Sequence, residues 1–184
     1  MLACVFWHWR RPEIERNVYE QSLLRFHQML AEHKPEGFLR SFAFRVVYAS
    51  WLPTKSEAYE DWYLVESSAV LDRLEQAAVS GPRQSAHDQA ASGALGGTAG
   101  LYRLRAGTES LNDARNAYWL AKPTGMNYTG FYNLLAPWMK QSNSALWGRQ
   151  MALGPASEFC LHAEMNLELA ANLNAVHLPL EKIW

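Results

Sequence analysis

The chain has 184 residues, with 17 Lys or Arg against 18 Asp or Glu and 49% hydrophobic residues, a composition typical of one soluble domain or of two small, closely packed ones. The scattered, near-neutral charge excludes a basic nucleic-acid-binding stripe and a polybasic membrane patch. No apolar stretch approaches the roughly 20 residues that cross a bilayer.

The first 105 residues contain segments in the order strand, helix, strand, strand, helix, strand. Hydrophobic periodicity and Pro or Gly breaks predict strands at 3–10, 39–51, 59–66 and 100–105, and helices at 13–33, about 67–80 and 85–94. The glycine-rich stretch 93–100 is predicted to be a flexible loop before the fourth strand. This order is that of a ferredoxin-like split βαβ unit.

The second part of the chain repeats the beginning of the first. Phe6-Trp7 precedes a basic residue, a proline and a helix, and Tyr118-Trp119 does the same. After a polar linker at 106–116, the pattern predicts strands at 117–121, 145–153, 157–163 and 175–183, a helix at 128–140, and a second helix that is missing or reduced to 167–173. We therefore predict an α+β fold in which two fused ferredoxin-like units, residues 1–105 and a degenerate 117–184, pack as one compact domain and form an α/β barrel from antiparallel sheets.

The element order, the aromatic first strand and the sequence Glu60-Asp61-Trp62-Tyr63 resemble the dimeric α/β-barrel superfamily. Residues 85–88, Ser-Ala-His-Asp, loosely resemble a segment of its antibiotic-biosynthesis monooxygenase branch. Members usually carry one unit per chain and close the barrel by dimerising, whereas here two units would close it within one chain. The resemblance implies a cofactor-independent monooxygenase, a muconolactone-isomerase-like enzyme or a haem-binding relative of chlorite dismutase.

The first strand carries the candidate catalytic residue. Phe6, His8 and Arg10 share one face because side chains alternate along a strand. If the strand's tryptophans lie beneath the helices, His8 points into the barrel lumen, and Arg45 lies on the corresponding face of the next strand. A histidine and an arginine in an apolar cavity are suited to proton transfer and anion binding, so His8 and Arg45 are the predicted catalytic pair. A hydrogen-bonded filler role for His8 is the alternative.

A second polar row, Glu158, Cys160, His162 and Glu164, lies on one face of a later strand. Same-face residues stand about 7 Å apart, so they do not easily converge on one ion, and no metal site is predicted. The row faces either the lumen or the solvent. Aromatic and polar positions of the strands are the candidates for a binding site for a small hydrophobic molecule: Phe6, Tyr63, Tyr102, Trp119, Arg149 and His162.

The sequence leaves the class of the protein open. The first hypothesis is a barrel that binds or transforms a small apolar or aromatic compound. The second is a haem-binding barrel that uses His27 or His162, and the third is a structural or interaction protein with a filled barrel. Two distant cysteines and the absence of a secretory signal predict a cytoplasmic protein, and we expect a monomer or a homodimer.

Overall fold

The computed structural model of the chain describes residues 1–54, 57–141 and 143–184. The strands are β1 (Leu2–Arg10), β2 (Phe38–Val46), β3 (Ala58–Val65), β4 (Ala94–Gly107), β5 (Asn116–Leu120), β6 (Ala145–Arg149), β7 (Phe159–Ala163), β8 (Val176–Pro179) and β9 (Glu181–Lys182). The helices are α1 (Arg16–Glu32), α2 (Leu71–Ala78), α3 (Gln84–Gly93) and α4 (Tyr128–Met139). Short 3₁₀ turns occupy Ser68–Val70, Gly81–Arg83 and Ala171–Leu173.

The strands form one antiparallel sheet in the order β8-β5-β7-β6-β4-β1-β3-β2-β9. Its two ends are joined by the chain itself, because β8 pairs with β5 and the following β9 pairs with β2. The amide of Leu180, between these strands, donates a 2.8 Å hydrogen bond to the carbonyl of Arg115. The sheet is therefore a nearly closed barrel, and the predicted α+β barrel class is confirmed.

The barrel interior is packed with large aromatic rings. Trp7, Trp62, Trp119 and Trp147 are each 0% exposed and belong to one cluster inside the sheet. On the outer face, α1, α2 and α3 cover β1 and β3, while α4 covers strands of the second part. Burying four indole rings in one cluster supplies much of the apolar area that stabilises such a core.

The prediction that the tryptophans of β1 lie beneath the helices and that His8 points into the barrel was wrong. Val5 and Trp7 point into the barrel, and Phe6 and His8 point outward beneath the helices. Alternation determines which residues share a face, but it does not determine which face is inside. Here the barrel interior takes the tryptophans.

The prediction of a flexible loop in the glycine-rich stretch was also wrong, because this stretch is a strand from residue 94 onward. Residues 94–107 form β4, and β1 lies along it with Trp9 opposite Gly96 and His8 opposite Gly97. A Cβ on Gly97 would lie 2.3 Å from the Phe6 ring, and one on Gly96 would lie 2.6 Å from the Trp9 ring. These glycines admit aromatic rings over the backbone of the neighbouring strand.

Other elements match their predictions within a few residues, with three exceptions. The strands predicted at 39–51 and 145–153 end early, at Val46 and Arg149, and the last strand is split around Leu180. The division into two units with a linker at 106–116 stays a prediction. Among the described residues, no helix combines the length and the apolar character needed to cross a membrane.

Candidate functional site

A cavity of about 490 Å³ lies between the outer face of β1 and β3 and the helices α1, α2 and α3; we call it the helix-side cavity. Its walls are mostly apolar and include Leu23 of α1, Leu74 of α2 and Ala90 of α3. None of the described residues that line it is a lysine or an arginine, and its carboxylates are Asp61 and Glu75. Its volume falls within the range of about 300–1,000 Å³ that is typical of ligand pockets in proteins.

Helix α1 brings polar rings to the sheet along with its apolar face. Tyr19, Leu23, Phe26, His27 and Leu30 recur at intervals of three or four residues and are all buried. Tyr19 and His27 are therefore two turns apart on the side of α1 that packs on β1, β2 and β3.

Asp61 lies between the imidazole rings of His8 and His27. Its Oδ2 atom is 3.2 Å from Nε2 of His8 and 3.4 Å from Nε2 of His27, and it accepts a 2.8 Å hydrogen bond from the hydroxyl of Tyr63. His8, His27 and Asp61 are at most 2% exposed. Oδ1 of Asp61 and Nε2 of each histidine are buried without a hydrogen-bond partner among the described residues, so the two Nε2–Oδ2 contacts are short ion-pair distances rather than aligned hydrogen bonds. Oδ1 therefore remains available to a ligand or a water molecule.

The second ring nitrogen of each histidine, Nδ1, faces a hydroxyl group. Nδ1 of His8 is 2.6 Å from the hydroxyl of Tyr19, and Nδ1 of His27 is 2.7 Å from Oγ of Ser41. We call this chain of groups the Asp61 cluster: Tyr19, His8, Asp61, His27 and Ser41. Each histidine thus lies between the shared carboxylate and a hydroxyl that can donate or accept.

The ionisation of Asp61 depends on its two histidine neighbours. Burial alone would raise the pKa of Asp61, but the neighbouring imidazoles of His8 and His27 hold it well below its usual range. Burial, followed by the charge of Asp61, raises the pKa of Tyr19 and of Tyr63 well above the ordinary value. Both phenols therefore stay protonated, and the Tyr19 hydroxyl keeps a proton that it can donate to Nδ1 of His8.

Arg45 does not reach the helix-side cavity. It shares the outer face with His8, but β3 runs between β1 and β2, and Tyr59 pairs with both residues in register. The guanidinium of Arg45 lies instead among carboxylates, 3.4 Å from Glu20 and in contact with Glu181. The structure thus separates the two predicted catalytic residues.

The predicted ligand-binding residues fall into three places. Phe6 and Tyr63 line the helix-side cavity together with His8. Tyr102, Trp119 and His162 are buried in the barrel interior. Arg149 donates hydrogen bonds to the carbonyls of Gly154 and Ala156 near the second part of the sheet.

The polar row on β7 faces inward only at its centre. Cys160 and His162 are 0% exposed inside the barrel, whereas Glu158 accepts a hydrogen bond from Tyr128 and Glu164 is exposed. Burial lowers the pKa of His162 to about 3, so this histidine is neutral. Among the described residues, no three His, Cys, Asp or Glu side chains lie close enough to hold a metal ion.

Neither histidine predicted to bind haem is placed to do so. The ring of His162 is 4.6 Å from the ring of Trp62 in the filled barrel, and that of His27 is stacked 5.4 Å from Tyr63 with its Nε2 beside Asp61. The histidines that line the helix-side cavity are His8 and His87.

Three members of the Asp61 cluster, Tyr19, Asp61 and Ser41, were not predicted as functional residues. Tyr19 has the spacing of an ordinary apolar helix position. The signal for Asp61 was its position beside Glu60 in an aromatic strand, since alternation places one of the two carboxylates on each face.

Comparison with known proteins supports the fold alone. No family model matches the chain, and no curated protein matches it. A search of solved structures finds a protein described as "Putative Chlorite dismutase TA0507", with a TM-score of 0.51 and 10% sequence identity, over 99% of this chain and 95% of that one. The chain therefore shares an overall fold with this protein along nearly its whole length.

Proposed function

We propose that the protein binds a small, largely apolar or aromatic compound in the helix-side cavity and moves a proton on it, as an isomerase-like enzyme would. The observation that supports this proposal is the placement of His8 and Asp61, both buried, on the lining of a mostly apolar cavity. A carboxylate that orients a histidine is the usual arrangement of a general base. Of the two reactions implied by the superfamily, isomerisation needs only proton movement.

Tyr19 and His8 would share the proton step. Because Nδ1 of His8 is 2.6 Å from the Tyr19 hydroxyl, a proton leaving the ligand can bond to the Tyr19 oxygen as the Tyr19 proton bonds to Nδ1. His8 then becomes an imidazolium beside the Asp61 carboxylate, 3.2 Å away, which stabilises the new charge. Return of the proton to another atom of the ligand completes an isomerisation.

The charges of the cavity restrict the ligand. Asp61 and Glu75 are acidic, and no described lining residue is a lysine or an arginine, so a carboxylate or phosphate ligand would meet two carboxylates without a permanent cation to balance its charge. The unpartnered Oδ1 of Asp61 favours a ligand with a hydroxyl or amine donor. We therefore propose neutral aromatic compounds that carry a donor group, such as phenols.

Calorimetry with phenol, toluene and benzoate tests this proposal. We expect phenol to bind about 10- to 100-fold more tightly than toluene, because a hydrogen bond to a charged group contributes about 1.5–3 kcal/mol, and we expect benzoate not to bind. Asp61→Asn should reduce the preference for phenol over toluene without abolishing toluene binding. Asp72→Asn, an exposed substitution on α2, is the matched control. Absence of binding by all three probes would contradict the proposal.

Haem is the alternative occupant, and His87 supports it. His87 lines the cavity, and its Nδ1 lies 3.1 Å from Oδ1 of Asp88. Metal-binding histidines commonly direct one ring nitrogen to a carboxylate, so His87 would hold the iron through Nε2. Bound haem would supply redox chemistry at its iron. The acidic lining offers no described cation to the haem propionates, which places this alternative second. A Soret band that saturates at one equivalent of haemin and disappears in His87→Ala would select it.

The third hypothesis, a structural or interaction protein, predicts a filled barrel without a cavity. The barrel is indeed filled by tryptophans. The open volume beside His8 lies outside it, however, and a cavity with a buried acid–base cluster supports a ligand-binding role.

A further inference from the structure

The Asp61 cluster extends from the helix-side cavity to a second concavity. This second concavity has a volume of about 330 Å³ and is lined by Lys34, Ser41, Phe42, Lys182 and Trp184, among others; we call it the Trp184 groove. It lies where α1, β2 and the C-terminal residues meet.

Ser41 joins the cluster to the groove. Its side chain lines the groove, and its Oγ atom is 2.7 Å from Nδ1 of His27. His27 is 0% exposed, between the stacked rings of Tyr63 at 5.4 Å and Trp184 at 6.4 Å. A proton on His27 therefore reaches water by passing through a hydrogen-bonded neighbour.

We propose that Asp61, His27 and Ser41 form a proton route between the helix-side cavity and water in the Trp184 groove. The proposal rests on the proposed function in one respect, namely that the proton comes from a ligand in the cavity. The route lets the proton taken up by His8 exchange with water before a proton returns to the ligand, and it would matter most when a ligand fills the cavity and separates His8 from solvent. His27 and Ser41 are positioning residues in this scheme, since neither lines the cavity.

The bond changes balance along the route. The N–H bond at Nε2 of a protonated His8 breaks as an O–H bond forms on Asp61. The route requires the tautomer of His27 that carries its proton on Nδ1, so that the lone pair of Nε2 accepts the proton from Asp61. The Nδ1 proton of His27 then passes to Oγ of Ser41, and the Ser41 hydroxyl proton passes to water in the groove. One proton enters the route, one leaves it, and no electron is transferred.

The other groups around Asp61 keep their protons. Tyr63 donates to Oδ2, and burial followed by the Asp61 charge raises its pKa well above the ordinary value. Cys4 lines the cavity, and burial raises its pKa, so it stays a thiol. Tyr59 is stacked 5.4 Å from His8, and its hydroxyl donates to Glu20, away from the carboxylate. The proton therefore moves between the two imidazoles through Asp61 and not onto Tyr63, Cys4 or Tyr59.

Nuclear magnetic resonance can test the route without any ligand, by the rate at which the ring N–H proton of His27 exchanges with water. Ser41→Ala should slow this exchange by about tenfold or more, within the ~100-fold or greater contribution of a positioned proton-transfer group. Ser41→Thr keeps a hydroxyl and should retain the exchange rate. Ser22→Ala is the matched control, because Ser22 is also a buried serine but donates to the backbone carbonyl of Tyr19.

Adding saturating toluene extends the test to His8. With toluene in the cavity, exchange at His8 should persist in the wild-type chain and become slow in Ser41→Ala. Equal exchange at His27 in the wild-type chain and Ser41→Ala would overturn the route. Failure of toluene to bind would count against the proposed function, and the His27 measurement would still decide the route.

Discussion

Glu60 and Asp61 are adjacent in the chain but have opposite electrostatic environments. Asp61 faces outward to two imidazoles, which hold its pKa low. Glu60 faces inward, is 0% exposed, and accepts hydrogen bonds from the indoles of Trp7 at 2.8 Å and Trp62 at 3.4 Å. Burial raises the pKa of Glu60 to about 7 in spite of these bonds. One strand thus keeps a carboxylate outside the barrel and a carboxyl group that titrates near neutrality inside it.

The raised pKa of Glu60 makes stability depend on pH. From its ordinary pKa of 4.5 up to about 7, the unfolded chain has lost this proton while the folded chain keeps it, so the free energy of unfolding falls as the pH rises. The loss amounts to roughly 3 kcal/mol and is complete above pH 7, because one pKa unit corresponds to about 1.4 kcal/mol. Glu60→Gln has no such proton, so its stability should lack this decrease.

Urea denaturation at pH 4.5 and pH 8 measures the effect. The wild-type chain should lose roughly 3 kcal/mol relative to Glu60→Gln between these two pH values. Glu66→Gln, an exposed substitution just after β3, should follow the wild-type chain. Parallel pH profiles for the wild-type chain and Glu60→Gln would show that Glu60 titrates normally.

At the scale of elements, the β1–β4 pair depends on glycines that carry no side chain. The Phe6 ring occupies the space that a Cβ on Gly97 would need, at 2.3 Å. Gly97→Ala should therefore destabilise the fold by about 1 kcal/mol, the low end of the cost of overpacking, because the tip of the half-buried Phe6 ring can shift into the helix-side cavity. Thermal and urea unfolding of Gly97→Ala, Phe6→Ala and the double variant give the coupling energy. If the clash is the cause, the double variant is more stable than the sum of the single effects implies, and strict additivity would refute this explanation.

The elements could be predicted from the sequence because they depend on local patterns. The apolar spacing of α1 and the alternation of β3 placed both within three residues of their observed bounds. The glycine-rich start of β4 could not be recognised, since its strand character comes from Phe6 and Trp9 on a neighbouring strand about 90 residues away in the chain. A pairing between distant residues leaves no signal within the segment itself.

The sequence indicated some residues of the candidate site but not the contacts between them, because those contacts join distant parts of the chain. His8 was selected for its chemistry, and Phe6 and Tyr63 join it at the cavity. Its partner Asp61 is 53 residues further along the chain, and the register of β1 against β3 together with the packing of α1 decides that contact. Arg45 was chosen on the assumption that β2 neighbours β1, whereas β3 lies between them.

At the scale of the whole molecule, the last residues of the chain close the barrel. The amide of Ile183 donates to the carbonyl of Ala43 at 2.8 Å, and the amide of Ala43 donates to the carbonyl of Trp184 at 3.3 Å. These bonds cover the outer edge of β2, which carries Phe42 and Phe44 on its inward face. An uncovered edge of this kind pairs readily with another chain.

Deleting residues 181–184 should therefore cause self-association. The deletion removes β9 and exposes the backbone donors and acceptors of β2, so we expect a larger average mass than that of the full chain in size-exclusion chromatography with light scattering. The double substitution Glu181→Ala and Lys182→Ala is the matched control, because it removes the ion pair with Arg45 but keeps the backbone of β9. It should retain the mass distribution of the full chain. A deletion variant with the mass of the full chain would show that β2 is protected by other means, and self-association of the double substitution would assign the effect to side chains rather than to edge pairing.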